Sequence, residues 1–205
     1  MLRTKKTLFS PGEYLAMEEV AEYKSEYYAG EIFAMAGGTE DHSLIAVNLV
    51  AELRQALRSR PCRVFNSDMR LYIGANGLYT YPDAMVICGP SQLASGRKDT
   101  VMNPVLIVET LSESTRDYDL GPKFEFYKQI PGLKEYVVVE SERAFVRCFR
   151  RASQSDWTAE DYNGLHAGAE LLSISCRLML GQVYDKISWV EAKHPSARAS
   201  VIENA

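Results

Sequence analysis

Apolar residues recur at helical spacing over residues 44–57, where Leu44, Val47, Leu49, Val50, Leu53 and Leu57 fall on one face. Thr39 stands where a cap is needed, and Pro61 closes a helix that should end near residue 59. An earlier helix is predicted from residue 10 to about residue 22. Ser10 can cap it, Pro11 suits its first turn, and Glu13 completes a capping box. Between the two helices, residues 27–35 read as two short strands around Gly30. After Pro61 the pattern is strand-like over 64–73 and 79–88, with Asn76-Gly77 as a hairpin signal between them. Residues 89–103 are a polar loop. Residues 105–111 are nearly all apolar, as in a strand buried on both faces. A polar loop over 112–119 leads to a helix over 121–129, and residues 135–141 and 144–151 read as a hairpin. Short strands run to about residue 180, and a last helix is predicted over 178–190. The pattern describes one α/β (α+β) domain over residues 10–190, with a flexible N-terminus at 1–9 and a polar tail at 191–205.

Composition narrows the function classes. The 205 residues are 46% hydrophobic, which is enough for a sizeable core and argues against wholesale disorder. A net charge of −4 excludes a strongly basic protein that coats nucleic acid. It leaves a nuclease open, because bound metal ions can supply local positive charge. Cys62, Cys88, Cys148 and Cys176 form no CxxC motif and read as reduced core residues. The start has no apolar leader segment, and no apolar run approaches the roughly 20 residues that span a bilayer. The expected setting is therefore cytoplasmic, with no membrane partner. There is no glycine-rich phosphate loop, so no organic cofactor is expected, and Ser112 lacks the context of a hydrolase nucleophile.

Glu109 is the residue that does not fit a plain core. It follows Val105, Leu106, Ile107 and Val108, where an unpaired carboxylate costs several kcal/mol or a large pKa shift. Either an Arg or Lys pairs with it, or it ligates a metal at the end of its strand. Asp83 favours the second reading. It follows Pro82, suited to a sheet-entry position, and precedes the apolar run Ala84-Met85-Val86-Ile87. Two carboxylates on neighbouring apolar strands can share one hard cation such as Mg²⁺, which is typically held by one or two carboxylates plus water and phosphate.

Tyr81-Pro82-Asp83, Val108-Glu109-Thr110-Leu111-Ser112, Thr115, Asp119, Lys123, Tyr127 and Glu135-Tyr136 together resemble the Uma-type family of candidate restriction endonucleases, within the PD-(D/E)xK nuclease superfamily. Residues 26–31, His42 and Ser67-Asp68-Met69-Arg70 add to the likeness, which spans about residues 8–185. The resemblance implies a restriction-endonuclease-like fold, a central mixed sheet flanked by helices. It implies metal-dependent phosphodiester hydrolysis, an endodeoxyribonuclease using Mg²⁺ or Mn²⁺ on DNA, as a homodimer. The implied metal ligands are Asp83, Glu109 and the Thr110 carbonyl. The superfamily lysine two residues after the acid is absent, because Leu111 stands there. Lys123 is the expected replacement, with the surface of an exposed helix as its other possible place. Tyr127, one turn later, shares its face. Glu26 matches an acidic position that can approach a second metal. His42 and Arg70 are further expected substrate contacts. His42 can instead cap its helix, and Arg70 can meet Glu109. The missing strand lysine also fits an alternative: a catalytically inactive member of the fold that binds nucleic acid or supports assembly.

Overall fold

Ser10 opens the first helix by the route its sequence predicts. Its hydroxyl accepts from the Glu13 amide while the Glu13 carboxylate accepts from the Ser10 amide. The computed structural model describes residues 7–35 and 37–189. The expected polar tail at 191–205 and residues 1–6 of the expected N-terminal segment lie outside the described residues. In chain order the elements are α1 (Pro11–Glu18), β1 (Ser25–Tyr28), β2 (Glu31–Ala34), α2 (Glu40–Ala56), β3 (Cys62–Asn66), β4 (Arg70–Ile73), β5 (Leu78–Thr80), β6 (Ala84–Cys88), β7 (Thr100–Val101) and β8 (Leu106–Leu111). Then come α3 (Arg116–Leu120), α4 (Pro122–Tyr127), β9 (Glu135–Glu140), β10 (Phe145–Arg151), β11 (Trp157–Asn163), β12 (Gly168–Leu171), β13 (Cys176–Met179) and α5 (Leu180–Val183).

Six strands form the main sheet in the order β11-β10-β9-β8-β6-β3, and five form a second sheet in the order β2-β1-β5-β4-β7. Only β8 and β9 run parallel in the main sheet; its other neighbours are antiparallel. Side chains alternate across β8. Leu106 and Val108 face the core under α2 and α5, while Ile107 and Leu111 face the core shared with Phe124 and Tyr127 of α4. Ile45, Leu49 and Leu53, at fourfold spacing along α2, are buried on the first side. The described helices include none long and apolar enough to cross a membrane.

Several sequence expectations change. The predicted strands over 64–73 and 79–88 are each broken into two, with the halves in different sheets. At the first break, the Asp68 amide donates to the Asn66 side chain, a local turn that competes with the ladder. At the second, Pro82 has no N–H to give a strand. α1 ends before residue 22 because the Glu18 carboxylate takes the Ser25 amide and hydroxyl, which turns the chain into β1. α2 ends at Ala56, short of residue 59. The expected loop over 112–119 contains α3, and the helix predicted over 121–129 is the shorter α4. Gly121 separates them, and a Cβ there would lie 2.8 Å from the Asp117 carbonyl oxygen. The last helix predicted over 178–190 is interrupted: Leu178 belongs to β13, α5 ends at Val183 in a turn over 184–186, residues 188–189 are helical again, and residue 190 lies outside the described residues. The cysteine reading is corrected too. β3 and β6 place Cys62 opposite Cys88, and the two form a disulfide, while Cys148 and Cys176 are free. A sequence separation of 26 gave no hint of this pairing.

Candidate active site

Pairing of Ala84 with Val108 brings Asp83 across from Glu109 at the carboxyl end of β8. Glu109 is pinned to the Asp83 backbone, and Asp83 to the backbone of the residue after Glu109. The Asp83 amide donates to Glu109 Oε2 at 3.3 Å, and the Thr110 amide donates to Asp83 Oδ2 at 2.8 Å. Glu109 shares its side of β8 with Ile107 and Leu111, so it points toward α4. There its Oε1 accepts from the Tyr127 hydroxyl at 2.6 Å and lies 2.9 Å from Lys123 Nζ. Residues 123 and 127 are one turn apart, which is why one helix delivers both.

Lys123 is buried and belongs to three carboxylates. Besides Glu109 it reaches Asp119 at 3.3 Å and Glu26 at 3.5 Å. Glu26 in turn accepts from the Thr80 hydroxyl and from the Tyr118 hydroxyl, the latter at 3.1 Å. His42 enters from the first turn of α2. Its Nε2 is 3.0 Å from the Thr110 carbonyl oxygen and 3.6 Å from Asp83 Oδ2. Its own amide also completes the Thr39 cap.

Burial pushes the Glu109 carboxyl up to about 8; Lys123 opposes that shift, and Asp83 and Asp119 reinforce it. Burial raises Asp83 as well, against His42 and the Thr110 amide. Burial also works against the Lys123 charge, yet Glu109, Tyr127, Glu26 and Asp119 outweigh it and hold the ammonium well above its ordinary range.

The structure thus brings Asp83, Glu109, Thr110, Lys123, Glu26, Tyr127 and His42 together. Arg70 is placed elsewhere. Its guanidinium donates to the Tyr81 hydroxyl at 2.7 Å and pairs with Glu18 and Asp99, so the expected meeting with Glu109 does not occur. The surface alternative for Lys123 is also set aside by its burial. Asp119, Tyr118 and Thr80 join the cluster without having been singled out as site residues. Asp119 stands four residues before Lys123, a signal that becomes readable only once residues 116–120 are known to be helical.

Glu109, Glu26 and Asp119 gather around the Lys123 ammonium, with Asp83 beside Glu109. Ionising all four carboxyls together would leave surplus negative charge in a buried place, which a divalent cation would offset. The donors nearest one another are hard oxygens: the Asp83 and Glu109 carboxylates and the Thr110 carbonyl. Among the described residues no three His, Cys, Asp or Glu side chains form a ready metal cage. Carboxylate and carbonyl oxygens are the donor type that Mg²⁺ and Mn²⁺ take, whereas structural zinc is held mostly by Cys and His.

The family model described as "Putative restriction endonuclease", Uma2, matches residues 11–178. The chain belongs to the Uma2 family. Two uncharacterized Synechocystis sp. proteins are similar to it. One is 36% identical and aligned over 85% of this chain and 90% of its own length; the other is 35% identical over 80% and 92%. A crystal structure from Anabaena variabilis, titled as a putative nuclease belonging to DUF820, superposes with a TM-score of 0.68 at 18% identity, covering 84% of this chain and 96% of that one. That likeness establishes the restriction-endonuclease-like fold, and in this Uma2 member Asp83 and Glu109 meet across the neighbouring strands β6 and β8.

Proposed function

We propose that this chain is a metal-dependent endonuclease that hydrolyses phosphodiester bonds of DNA, as a homodimer so that both strands are cut. The reading rests on one observation: Asp83, just before β6, and Glu109, on β8, share a site with the Lys123 ammonium and, among the described residues, with no arginine. Asp83, Glu109 and the Thr110 carbonyl would hold Mg²⁺ or Mn²⁺. A cation bound there would polarise a phosphate oxygen and offset the charge that develops on it.

The chain's own residues supply the remainder. Tyr127 and Lys123 occupy Glu109 Oε1, which orients the carboxylate so that Oε2 turns toward Asp83. Leu111 is buried where the superfamily places its lysine, and Lys123 brings an ammonium to the same carboxylate from the adjoining helix. Held charged by its neighbours, Lys123 cannot take a proton from water. Its part is that of a fixed donor and positive charge facing the reacting phosphate. Glu26, itself fixed by Thr80 and Tyr118, holds Lys123 from the other side.

Supercoiled plasmid incubated with Mg²⁺ provides the test. Wild-type protein is expected to nick and linearise it, EDTA to stop it, and Asp83→Ala or Glu109→Gln to slow it at least 100-fold while remaining folded. Undiminished cleavage by either variant would remove this site from the mechanism. Metal binding without cleavage of any DNA or RNA substrate would favour the non-catalytic alternative raised by Leu111.

A further inference from the structure

His42 is the one residue of the cluster whose side chain stands on two of the proposed metal ligands at once. The Thr110 carbonyl oxygen, 3.0 Å from Nε2, can only accept, so Nε2 carries the proton. The same nitrogen is 3.6 Å from Asp83 Oδ2. A protonated imidazole nitrogen has no lone pair for a metal. The other nitrogen, Nδ1, faces Gly38, where even a Cβ would come within 2.7 Å. The ring is therefore held by the Thr110 carbonyl and, through its own backbone, by the Thr39 cap, while the missing Cβ of Gly38 leaves it room.

We propose that His42 is a built-in plug of the cation site, its Nε2–H occupying the Thr110 carbonyl and covering Asp83 until a divalent cation displaces it. This rests on the metal-centre reading above. His42 then acts as a competitor for the cation and not as a ligand. The ring stays where it is while the site is empty, satisfying a carbonyl and facing a carboxylate that would otherwise stand with less compensation in a buried place. Entry of the cation exchanges the Nε2–H···O=C bond for coordination, and the ring moves off. Gly37, beside which a Cβ would meet no atom within 4 Å, leaves open space in the segment that leads into α2.

The two roles for His42 have opposite signs in a binding measurement. Removing a ligand weakens metal binding, and removing a competitor strengthens it. The full-length chain would be titrated with Mn²⁺, following loss of the free-ion electron paramagnetic resonance signal, in wild type, His42→Ala and Asp83→Asn. The expected result is three- to tenfold tighter binding in His42→Ala, the size of one net hydrogen bond, and loss of binding in Asp83→Asn. Equal or weaker binding in His42→Ala, with binding still lost in Asp83→Asn, overturns the plug and leaves the metal centre standing. Unchanged binding in Asp83→Asn, or no binding in wild type and His42→Ala alike, overturns both. A second measurement does not depend on the variant folding. In ¹⁵N-histidine spectra of wild-type protein, the His42 Nε2–H signal protected by Thr110 should disappear as Mg²⁺ is added. Its persistence in protein saturated with Mg²⁺ contradicts the proposal.

Discussion

Glu135, Glu140 and Glu109 are all carboxylates buried on the two central parallel strands, and they differ in what answers their charge. Glu135 pairs with Arg150 and also takes the amides of Leu172 and Ser173; Glu140 pairs with Arg116. Those are closed ion pairs. Glu109 shares one lysine with Asp119 and Glu26, and Asp83 is met by the Thr110 amide and the His42 ring, with no closed ion pair of its own among the described residues. Removing that lysine should be costly. Lys123→Met is expected to lower stability by about 3 kcal/mol, since breaking a buried pair strands its partners' charge. A urea unfolding curve that moves by less than about 1 kcal/mol would show that the cluster does not depend on it. The raised Glu109 pKa carries a pH signature. Its folded value near 8 exceeds the ordinary 4.5, so ionising the group favours the unfolded chain. In metal-free protein the stability of wild type relative to Glu109→Gln should therefore be greatest below about pH 4.5 and fall as pH rises toward 8. Thermal unfolding in EDTA across that range checks it, and a flat difference would mean Glu109 is ionised throughout.

At the scale of elements, what was legible in the sequence was the periodic part. The capping box at Ser10, the α2 stripe and the β9–β10 hairpin all follow from residue spacing and turn chemistry. The strand breaks at 67–69 and 81–83 were not legible, because apolar residues continue on both sides and only the pairing partner changes from one sheet to the other. Helix α3 was hidden for the opposite reason: its Ser- and Asp-rich approach has loop composition, and packing against β8 overrides that preference. The acids on apolar strands stood out by burial cost alone. The residues that surround them stood out only through the family resemblance, since Glu26, Lys123 and His42 come from three elements far apart in sequence. The Cys62–Cys88 link between β3 and β6 is a further tertiary fact. Replacing both cysteines with serine should cost about 3 kcal/mol by loop entropy over the 26-residue span, read from guanidinium unfolding of the oxidised protein. No change in the midpoint would mean the bond adds nothing to the hydrogen-bonded ladder.

For the molecule as a whole, an acidic total of −4 and a buried acid cluster should repel a phosphate backbone until cations bind. Affinity for a labelled DNA duplex, followed by fluorescence anisotropy, is expected to rise at least tenfold when Ca²⁺ replaces EDTA, and to fall as salt is added. Equal affinity in both buffers would place DNA binding away from the carboxylates. The fold underlies this expectation: the chain crosses from one sheet to the other at Pro82, and the crossing sets Asp83 beside Glu109, which meets Lys123 of α4. Everything functional follows from whether that convergence holds a cation. Crystals grown with Mn²⁺ and measured for its anomalous scattering give the most direct answer. The expected map has a peak in contact with Asp83, Glu109 and the Thr110 carbonyl, with Lys123 still against Glu109; a map with no peak there at saturating Mn²⁺, or with Mn²⁺ bound only elsewhere, contradicts it.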